Sequence, residues 1–254
     1  MRESLDNLVK NGRTRAEAGA VLENVLAREI EVSEAAGQIY LDMWTRSGVT
    51  VACGTYSGWG LSTAFEESVR KIANAQAIIN ALNHSMLLIK SASDIERAHA
   101  EDKYGVVIDF QNTHPLADDL SRVDLFHGLG LRMVQLNYNL QDLVGDGCTE
   151  LYQGGLTYFG RELVAMLNER HILVDVSHSS EQVGWDTMEM SSAPVIVSHS
   201  SSKAVAYHDR GKSDEFAKAI ADQGGYFGVV AIPGFIRDRP GATLEDVVQH
   251  IDHL

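Results

Sequence analysis

The chain has 254 residues, 44% of them hydrophobic, which is enough for one sizeable core and close to the length of a (β/α)8 barrel. Its 35 acidic and 21 basic side chains give a formal charge of -14, which disfavours nucleic acid as a partner and favours a cytoplasmic protein. No apolar run approaches the roughly 18 residues of a membrane span, and the two cysteines, Cys53 and Cys148, lack the spacing of a thiolate zinc site.

Helix and strand patterns alternate along the chain. Residues 1–47 form a helical N-terminal segment, because Arg13 to Ser47 is rich in Ala and Glu with helical apolar spacing. The elements that follow are predicted as strand Val49–Tyr56, helix Ser62–Asn83, strand Met86–Ile89, helix Ser93–Glu101, strand Gly105–Phe110, helix Asp118–Leu129, strand Arg132–Tyr138, helix Leu156–Arg170, strand Ile172–His178, helix Ser180–Met190, strand Val195–His199, helix Ser213–Gln223, strand Tyr226–Ile232 and helix Thr243–Leu254.

This alternation predicts an α/β fold with a parallel sheet and right-handed crossovers. Seven strands are predicted, whereas eight close the common barrel. We therefore expect a single domain over residues 1–254, a TIM-barrel-like (β/α)8 fold that is incomplete because its first and last strands are missing. An open α/β sheet is the alternative.

Two predicted strands end in the dipeptide Ser-His, at His178 and His199. The carboxyl ends of parallel strands meet at one edge of a sheet, and the segment between these strands has the length of one crossover helix. Neighbouring strands lie about 4.8 Å apart, so two imidazoles at this edge are able to bind one metal ion. The alternative is that each histidine only caps its strand through hydrogen bonds.

Seven segments of the chain form a recognisable set in order and spacing. They are Asp109-Phe-Gln-Asn112, Gly130-Leu-Arg-Met-Val-Gln-Leu-Asn-Tyr-Asn139, Gly145-Asp-Gly-Cys-Thr-Glu150, Gly155-Leu-Thr-Tyr-Phe-Gly160, Val174-Asp-Val-Ser-His178, Pro194-Val-Ile-Val-Ser-His-Ser200 and His208-Asp-Arg210. Together they resemble the renal, or membrane, dipeptidase family of zinc peptidases. Members of that family are (β/α)8 barrels that bind two zinc ions and hydrolyse dipeptides, often with a D-residue at the carboxyl end.

The resemblance assigns roles to four positions. It implies that His178 and His199 hold the second zinc, that Arg210 receives the substrate carboxylate, and that Tyr138 lies near the substrate carbonyl. A guanidinium suits the carboxylate because its planar fork donates two parallel hydrogen bonds. From the residues alone, Arg210 is equally a solvated loop arginine and Tyr138 equally the wall of a cleft.

The sequence departs from the family pattern at the metal ligands. The family's bridging glutamate aligns with Gln111, whose neutral amide is a weak ligand between two dications. No His-x-Asp motif precedes Val49, and the sequence contains no strand that carries the family's last-strand aspartate. Other candidate ligands are Asp109, His114 and Asp175. The zinc count, one or two, stays open, and no catalytic proton carrier is identified.

Two functions follow from these observations. The first is a zinc-dependent dipeptidase that acts on small peptides and recognises their terminal carboxylate. The second is a non-catalytic or truncated relative that binds a small carboxylate ligand or a partner without hydrolysis. An open side of the barrel would also expose strand edges, so a homodimer is a possible assembly.

Overall fold

The computed structural model describes residues 2–237 and 241–254. Its contacts divide the chain into two compact units, Met1–Gly58 with Ser62–Ile108 and Trp59–Leu61 with Asp109–Leu254. A single domain over residues 1–254 therefore stays a prediction. Within the described ranges, no helix has both the length and the apolar character that a membrane crossing requires.

The first unit is mostly helical. Its N-terminal segment is helical as predicted, but it consists of three helices rather than one. The elements of this unit are α1 (Arg2–Lys10), α2 (Arg15–Val32), α3 (Glu34–Ser47), β1 (Val51–Thr55), α4 (Ala64–Ala81), β2 (Met86–Ile89), α5 (Ala92–Ala100) and β3 (Tyr104–Phe110), the last of which extends past the boundary at Ile108.

The prediction of one continuous helix from Arg13 to Ser47 is wrong, because the helix breaks at Ser33. This residue has extended backbone angles and ends α2, and its hydroxyl accepts a hydrogen bond of 3.3 Å from the Ala36 N–H, which caps α3. Serine favours this arrangement because its side chain satisfies a helix N–H that has no partner within the helix. The break lets the two helices pack against each other.

The core of the first unit is aliphatic. Helices α2, α3 and α4 meet in a buried cluster, and Gly37 allows α3 to approach closely, since an added Cβ would lie 3.0 Å from Leu82 Cδ2. Strands β1 and β2 both pair with β3, and β2 runs parallel to it from Met86↔Tyr104 to Ile89↔Val107. The cluster consists of Ala27, Ile30, Leu41, Ile78, Ile79, Leu82, Met86 and Val106.

The second unit alternates helices and short strands, as predicted. Its elements are α6 (Ser121–Gly128), β4 (Leu131–Gln135), α7 (Tyr158–Glu169), β5 (Leu173–Asp175), α8 (Glu181–Met190), β6 (Val197–Ser200), α9 (Asp214–Asp222), β7 (Phe227–Val229), α10 (Pro233–Ile236) and α11 (Leu244–His253). The short helix α10 has no counterpart in the prediction.

The strands of the second unit run parallel. Strand β4 pairs with β5 from Met133↔Leu173 to Gln135↔Asp175, a parallel bridge joins Asp175 to Ile196 just before β6, and β6 pairs with β7. The α/β class is therefore confirmed, and the carboxyl ends of these strands share one edge. The pairings among the described residues do not form a closed ring, so the barrel remains an interpretation.

Several strands are shorter than predicted, and for β5 and β7 the structure gives the reason. Strand β5 ends at Asp175 because its carboxylate accepts a hydrogen bond of 2.9 Å from the Ser177 N–H, which turns the chain. Strand β7 ends at Val229, and Pro233 then begins α10, where the fixed φ of proline suits a first helical turn. His178 consequently lies in a loop, three residues beyond its strand.

Candidate metal centre

The two predicted histidines meet at the carboxyl edge of the second unit's sheet. His178 follows β5 and is buried, whereas His199 lies within β6 and is half-buried. Their Nε2 atoms are 3.0 Å apart and their ring centroids are 5.0 Å apart. The structure therefore brings the two imidazoles together with the same ring nitrogen of each facing the other.

The opposite nitrogen of each ring has its own hydrogen-bond partner. His178 Nδ1 lies 2.7 Å from Asn139 Oδ1, and His199 Nδ1 lies 2.7 Å from Ser198 Oγ. An amide oxygen only accepts, and the Ser198 hydroxyl already donates to Asp175 Oδ2 at 2.5 Å, so both Nδ1 atoms carry the proton. Each Nε2 then holds a lone pair directed at the other.

Both imidazoles are neutral in this environment. Burial, with a further contribution from the positive charge of Arg210, lowers the pKa of His178 to about 2. Burial also lowers the pKa of His199, although Asp175 opposes that shift. Neutral imidazole is the form that binds metals, so neither ring has to lose a proton before it binds an ion.

The two nitrogens are close enough for His178 and His199 to hold one divalent ion together, which would supply Lewis-acid chemistry at this edge of the sheet. Without a cation, two lone pairs at this distance repel each other. Within residues 2–237 and 241–254, however, no group of three or more His, Cys, Asp or Glu side chains is placed to hold a metal. The described residues thus bring two candidate ligands together, whereas a protein zinc site needs at least three.

Of the other candidate ligands, Asp175 ends β5 and accepts hydrogen bonds from Ser177 and Ser198, and the rest lie at the end of β3 or just after it. Gln111 directly follows that strand and is half-buried, and its main-chain carbonyl accepts a hydrogen bond of 2.6 Å from Gln135 Nε2. Asp109 is buried at the end of β3, and His114 lies three residues after Gln111 on the wall of a separate cavity. A metal-binding role for Gln111 remains a prediction.

Arg210 is buried rather than solvated. It is 1% exposed, one terminal nitrogen donates to the carbonyl oxygen of Ser177, and the other donates to that of His199 at 2.9 Å. Burial lowers the pKa of the Arg210 guanidinium. The guanidinium therefore joins the two strand ends that carry the histidines, and its role as a carboxylate receptor remains a prediction.

The loop that carries His178 is held at three consecutive carbonyl groups. Ser177 O accepts from Arg210, His178 O accepts from the Cys148 N–H at 2.8 Å, and Ser179 O accepts from Lys212 Nζ at 2.6 Å. Lys212 is fully enclosed, and burial lowers its pKa to about 8. These contacts fix the backbone on both sides of the imidazole.

Tyr138 covers the face of His178. The two rings stack with centroids 4.2 Å apart and planes inclined by 19°, and Trp59 packs its edge against the tyrosine at 4.5 Å. The geometry places Tyr138 beside the imidazole pair, where it forms a wall. A contact between Tyr138 and a substrate carbonyl stays a prediction.

Sequence reasoning missed Asn139 as a partner of His178. Asn139 has a φ of 62°, a left-handed conformation that asparagine tolerates better than most residues. Gly147 packs against it so closely that an added Cβ would lie 2.0 Å from Asn139 O, so only glycine fits there. The Gly145-Asp-Gly147 segment was the available signal, and it indicates close backbone approach rather than only a turn.

Comparison with known proteins places the chain among dipeptidase sequences. The model of the membrane dipeptidase family, peptidase family M19, matches residues 21–254. The chain is 30% identical over 194 residues to dipeptidase tcpJ of Claviceps purpurea (strain 20.1), a match that covers 75% of this chain and 46% of that protein. It is 25% identical over 201 residues to an uncharacterised dipeptidase of Schizosaccharomyces pombe, covering 76% and 48%. The chain thus spans about half the length of these curated relatives.

Solved structures agree with this match. An amidohydrolase from Pseudomonas aeruginosa superposes with a TM-score of 0.76 at 35% identity, covering 81% of this chain and 62% of that one. A metallo peptidase from Rhodobacter sphaeroides, liganded with a phosphinate mimic of the dipeptide L-Ala-D-Ala, shares the fold with a TM-score of 0.71 at 23% identity, covering 79% and 59%. Because the family model matches most of its residues, the chain belongs to the membrane dipeptidase family, peptidase family M19.

Proposed function

We propose that the protein is a metal-dependent dipeptidase in which His178 and His199 supply two of the ligands to zinc. The observation that carries this proposal is the 3.0 Å separation of two Nε2 atoms whose rings both carry their proton on Nδ1. Family membership and the named dipeptidase relative support the choice of reaction.

The neighbouring groups suit a metal-binding role for the pair. Bound zinc would polarise the scissile carbonyl and lower the pKa of a coordinated water to about 7. Asn139 and Ser198 hold the rings in the metal-binding tautomer, and Asp175 accepts a hydrogen bond from the Ser198 hydroxyl. Such outer contacts orient ligating imidazoles and raise their basicity.

We further propose that Arg210 attracts the carboxylate of the peptide substrate. Each terminal nitrogen of the guanidinium carries two protons, and the hydrogen bonds to Ser177 O and His199 O use one proton of each. The remaining protons are then the ones offered to a carboxylate. Orientation of the substrate by this contact would supply part of the rate.

A second candidate function is ligand binding without hydrolysis. It is favoured by one specific finding, that the described residues contain no cluster of three acidic, histidine or cysteine ligands. Gln111, which replaces a carboxylate at the position implied by the family resemblance, points the same way. Under this alternative the imidazole pair and Arg210 form a cleft for a small carboxylate.

Metal analysis combined with turnover separates the two functions. The 254-residue chain is stripped with a chelator, titrated with zinc, and assayed on dipeptides that end in an L- or a D-residue. His178→Ala and His199→Ala are compared with His84→Ala, which changes an exposed histidine in the turn before β2. We expect both site variants to lose zinc and turnover, while His84→Ala keeps both.

Two other outcomes would contradict parts of this proposal. Zinc binding without turnover of any dipeptide supports the non-catalytic alternative. If the two site variants bind zinc as tightly as the unmodified chain, the metal centre proposed here is wrong.

A further inference from the structure

A cavity of about 390 Å³ lies in the second unit, and one of its walls belongs to the loop that contacts His178. Its walls come from the segment after β3, from the loop after β4 and from one residue before α4. Apolar side chains and a single carboxylate dominate the lining, which consists of Leu61, Thr113, His114, Ala117, Gln141, Asp142 and Leu143.

The cavity and the imidazole pair share one loop. Asn137 donates to Asp142 Oδ1 at 2.7 Å and accepts from the Ser179 hydroxyl at 3.0 Å, next to His178. Tyr138 and Asn139, the next two residues, contact the His178 ring by stacking and by a hydrogen bond. A peptide bound at the imidazole pair therefore has a side-chain pocket close by.

The carboxylate in this pocket is fixed and has no basic partner. Asp142 Oδ1 accepts from Asn137 Nδ2 at 2.7 Å and from the Val144 N–H at 2.8 Å. No ion pair joins Asp142 to a lysine or arginine among the residues described, and the negative charge of Asp146 helps to raise the Asp142 pKa. Burial raises the pKa of Asp142 to about 6, so the group is charged but poorly solvated at neutral pH.

The rest of the lining suits an aliphatic stem. Leu61, Ala117 and Leu143 offer apolar surface, while Gln141 is tied to Asp146 by a hydrogen bond of 2.7 Å. His114 Nδ1 is buried without a hydrogen-bond partner among the described residues, so it is available to a polar group that enters. A long side chain with an apolar stem and a cationic end matches this combination.

We propose that this cavity is a specificity pocket for a lysine- or arginine-type side chain of a peptide substrate, a proposal that rests on the dipeptidase function above. The stem packs on the three aliphatic residues and the cation pairs with Asp142. The net charge of -14 favours approach of a cationic substrate as well.

Two measurements test the pocket. In the first, kcat/KM is determined for dipeptides that carry lysine or norleucine at either position, because norleucine keeps the stem and lacks the ammonium. In the second, binding of L-lysinamide and L-norleucinamide is measured by titration calorimetry, without any need for turnover. Both use the zinc-loaded chain, the variant Asp142→Asn and the control Glu162→Gln, which removes one exposed charge from α7.

We expect kcat/KM to be about tenfold higher for lysine than for norleucine at one of the two positions, a difference typical of one charge-assisted hydrogen bond. Lysinamide should likewise bind about tenfold more tightly than norleucinamide. Asp142→Asn keeps an oxygen for Asn137 and Val144, so the loop stays folded while the preference falls to about one. Glu162→Gln keeps the preference.

The two proposals fail separately. If dipeptides are hydrolysed with no preference between lysine and norleucine, the pocket proposal is overturned and the dipeptidase function stands. If nothing is hydrolysed but lysinamide is still favoured in an Asp142-dependent manner, the pocket stands and the dipeptidase function fails.

Discussion

The two compact units bury different kinds of side chain. In the first unit the interior is an aliphatic cluster, and Ser57 and Ser68 are its only fully buried polar residues among those described. The other buried polar and charged side chains all lie in the second unit, and they include Asp175, Arg210 and Lys212. Most of them surround the strand ends that carry the histidines.

This difference indicates that the first unit contributes mainly to stability and that the second unit carries the functional groups. A buried polar group costs free energy unless it is hydrogen-bonded, so a fold that needs only stability does not collect such groups. In the second unit they form a connected set around two imidazoles, which is typical of a functional centre. The first unit is stabilised by apolar burial, and substitutions there should alter folding alone.

The largest expected effect comes from Asp175→Asn. Asp175 accepts four hydrogen bonds, from the N–H and hydroxyl groups of Ser177 and Ser198. An amide nitrogen in place of Oδ2 faces the Ser198 hydroxyl as a donor, which turns that hydroxyl toward His199 and shifts the imidazole proton to Nε2. We expect a loss of about 3 kcal/mol of unfolding free energy and a 10- to 100-fold fall in zinc affinity, roughly as for other outer contacts of metal ligands.

The matched variant in the first unit is Leu82→Ala. Leu82 is 5% exposed within the aliphatic cluster, and truncation of a buried leucine costs about 3 kcal/mol. Urea denaturation should show similar losses for the two variants, whereas zinc titration should separate them, since Leu82→Ala keeps the affinity of the unmodified chain. Equal zinc affinities in both variants would remove the distinction between the units.

The second prediction concerns Arg210→Met. The change removes the donors to Ser177 O and His199 O, two buried carbonyl groups, and we expect unfolding free energy to fall by about 2–3 kcal/mol. Arg210→Lys, which keeps a positive charge and some donors, should recover part of this loss. Thermal or urea denaturation measures both effects.

The same pair of variants tests substrate recognition by Arg210. A dipeptide with a free carboxylate is compared with its C-terminal amide. If Arg210 binds the carboxylate, the unmodified chain prefers the free acid and Arg210→Lys loses much of that preference through KM. If Arg210→Lys keeps the same preference for the free acid over the amide, Arg210 only connects the two strand ends and does not bind the carboxylate.

Local signals in the sequence located most elements correctly. Strand β2 has the predicted bounds, because a short apolar run between a turn and a Ser-initiated helix allows few alternatives. Helix starts were predictable where serine or threonine caps the first turn, as Thr157, Ser180 and Ser213 do. Parallel strand order then followed from the alternation of strand and helix, and it placed His178 beside His199.

The support around the imidazoles could not be predicted in the same way. Asn139 reaches His178 through a left-handed backbone and the close approach of Gly147, two features that depend on tertiary packing. Arg210 sits eleven residues beyond His199, and its burial depends on carbonyl groups exposed where two strands end. The sequence identified the two histidines because each lies in or just after a strand whose carboxyl end has a fixed place in the sheet, whereas residues farther along the loops have no such constraint.

The third prediction concerns the stability cost of the half-buried carboxylate of Asp142. Asp142 has a pKa of about 6 in the folded chain and an ordinary value of 3.8, so folding favours its protonated form. Its contribution to stability is complete below pH 3.8 and is lost as the pH rises through 6. Asp142→Asn should therefore be more stable than the unmodified chain at pH 8, by about 2 kcal/mol, with little difference at pH 4. Urea denaturation midpoints of the two proteins, measured at several pH values, test this. A difference in midpoint that stays the same from pH 4 to pH 8 would contradict it.

The smallest expected effect comes from Gln111→Glu, which asks whether the metal centre of the second unit is limited by charge. Gln111 directly follows β3, at the position where the family resemblance implies a bridging glutamate. A carboxylate neutralises divalent ions where an amide does not, so the variant should bind zinc about tenfold more tightly and take up more zinc per chain. Gln249→Glu makes the same change at an exposed position on α11 and should leave zinc binding as it is. If the two variants bind zinc alike, Gln111 lies outside the metal centre, and the remaining ligands to an ion held by His178 and His199 must come from other residues.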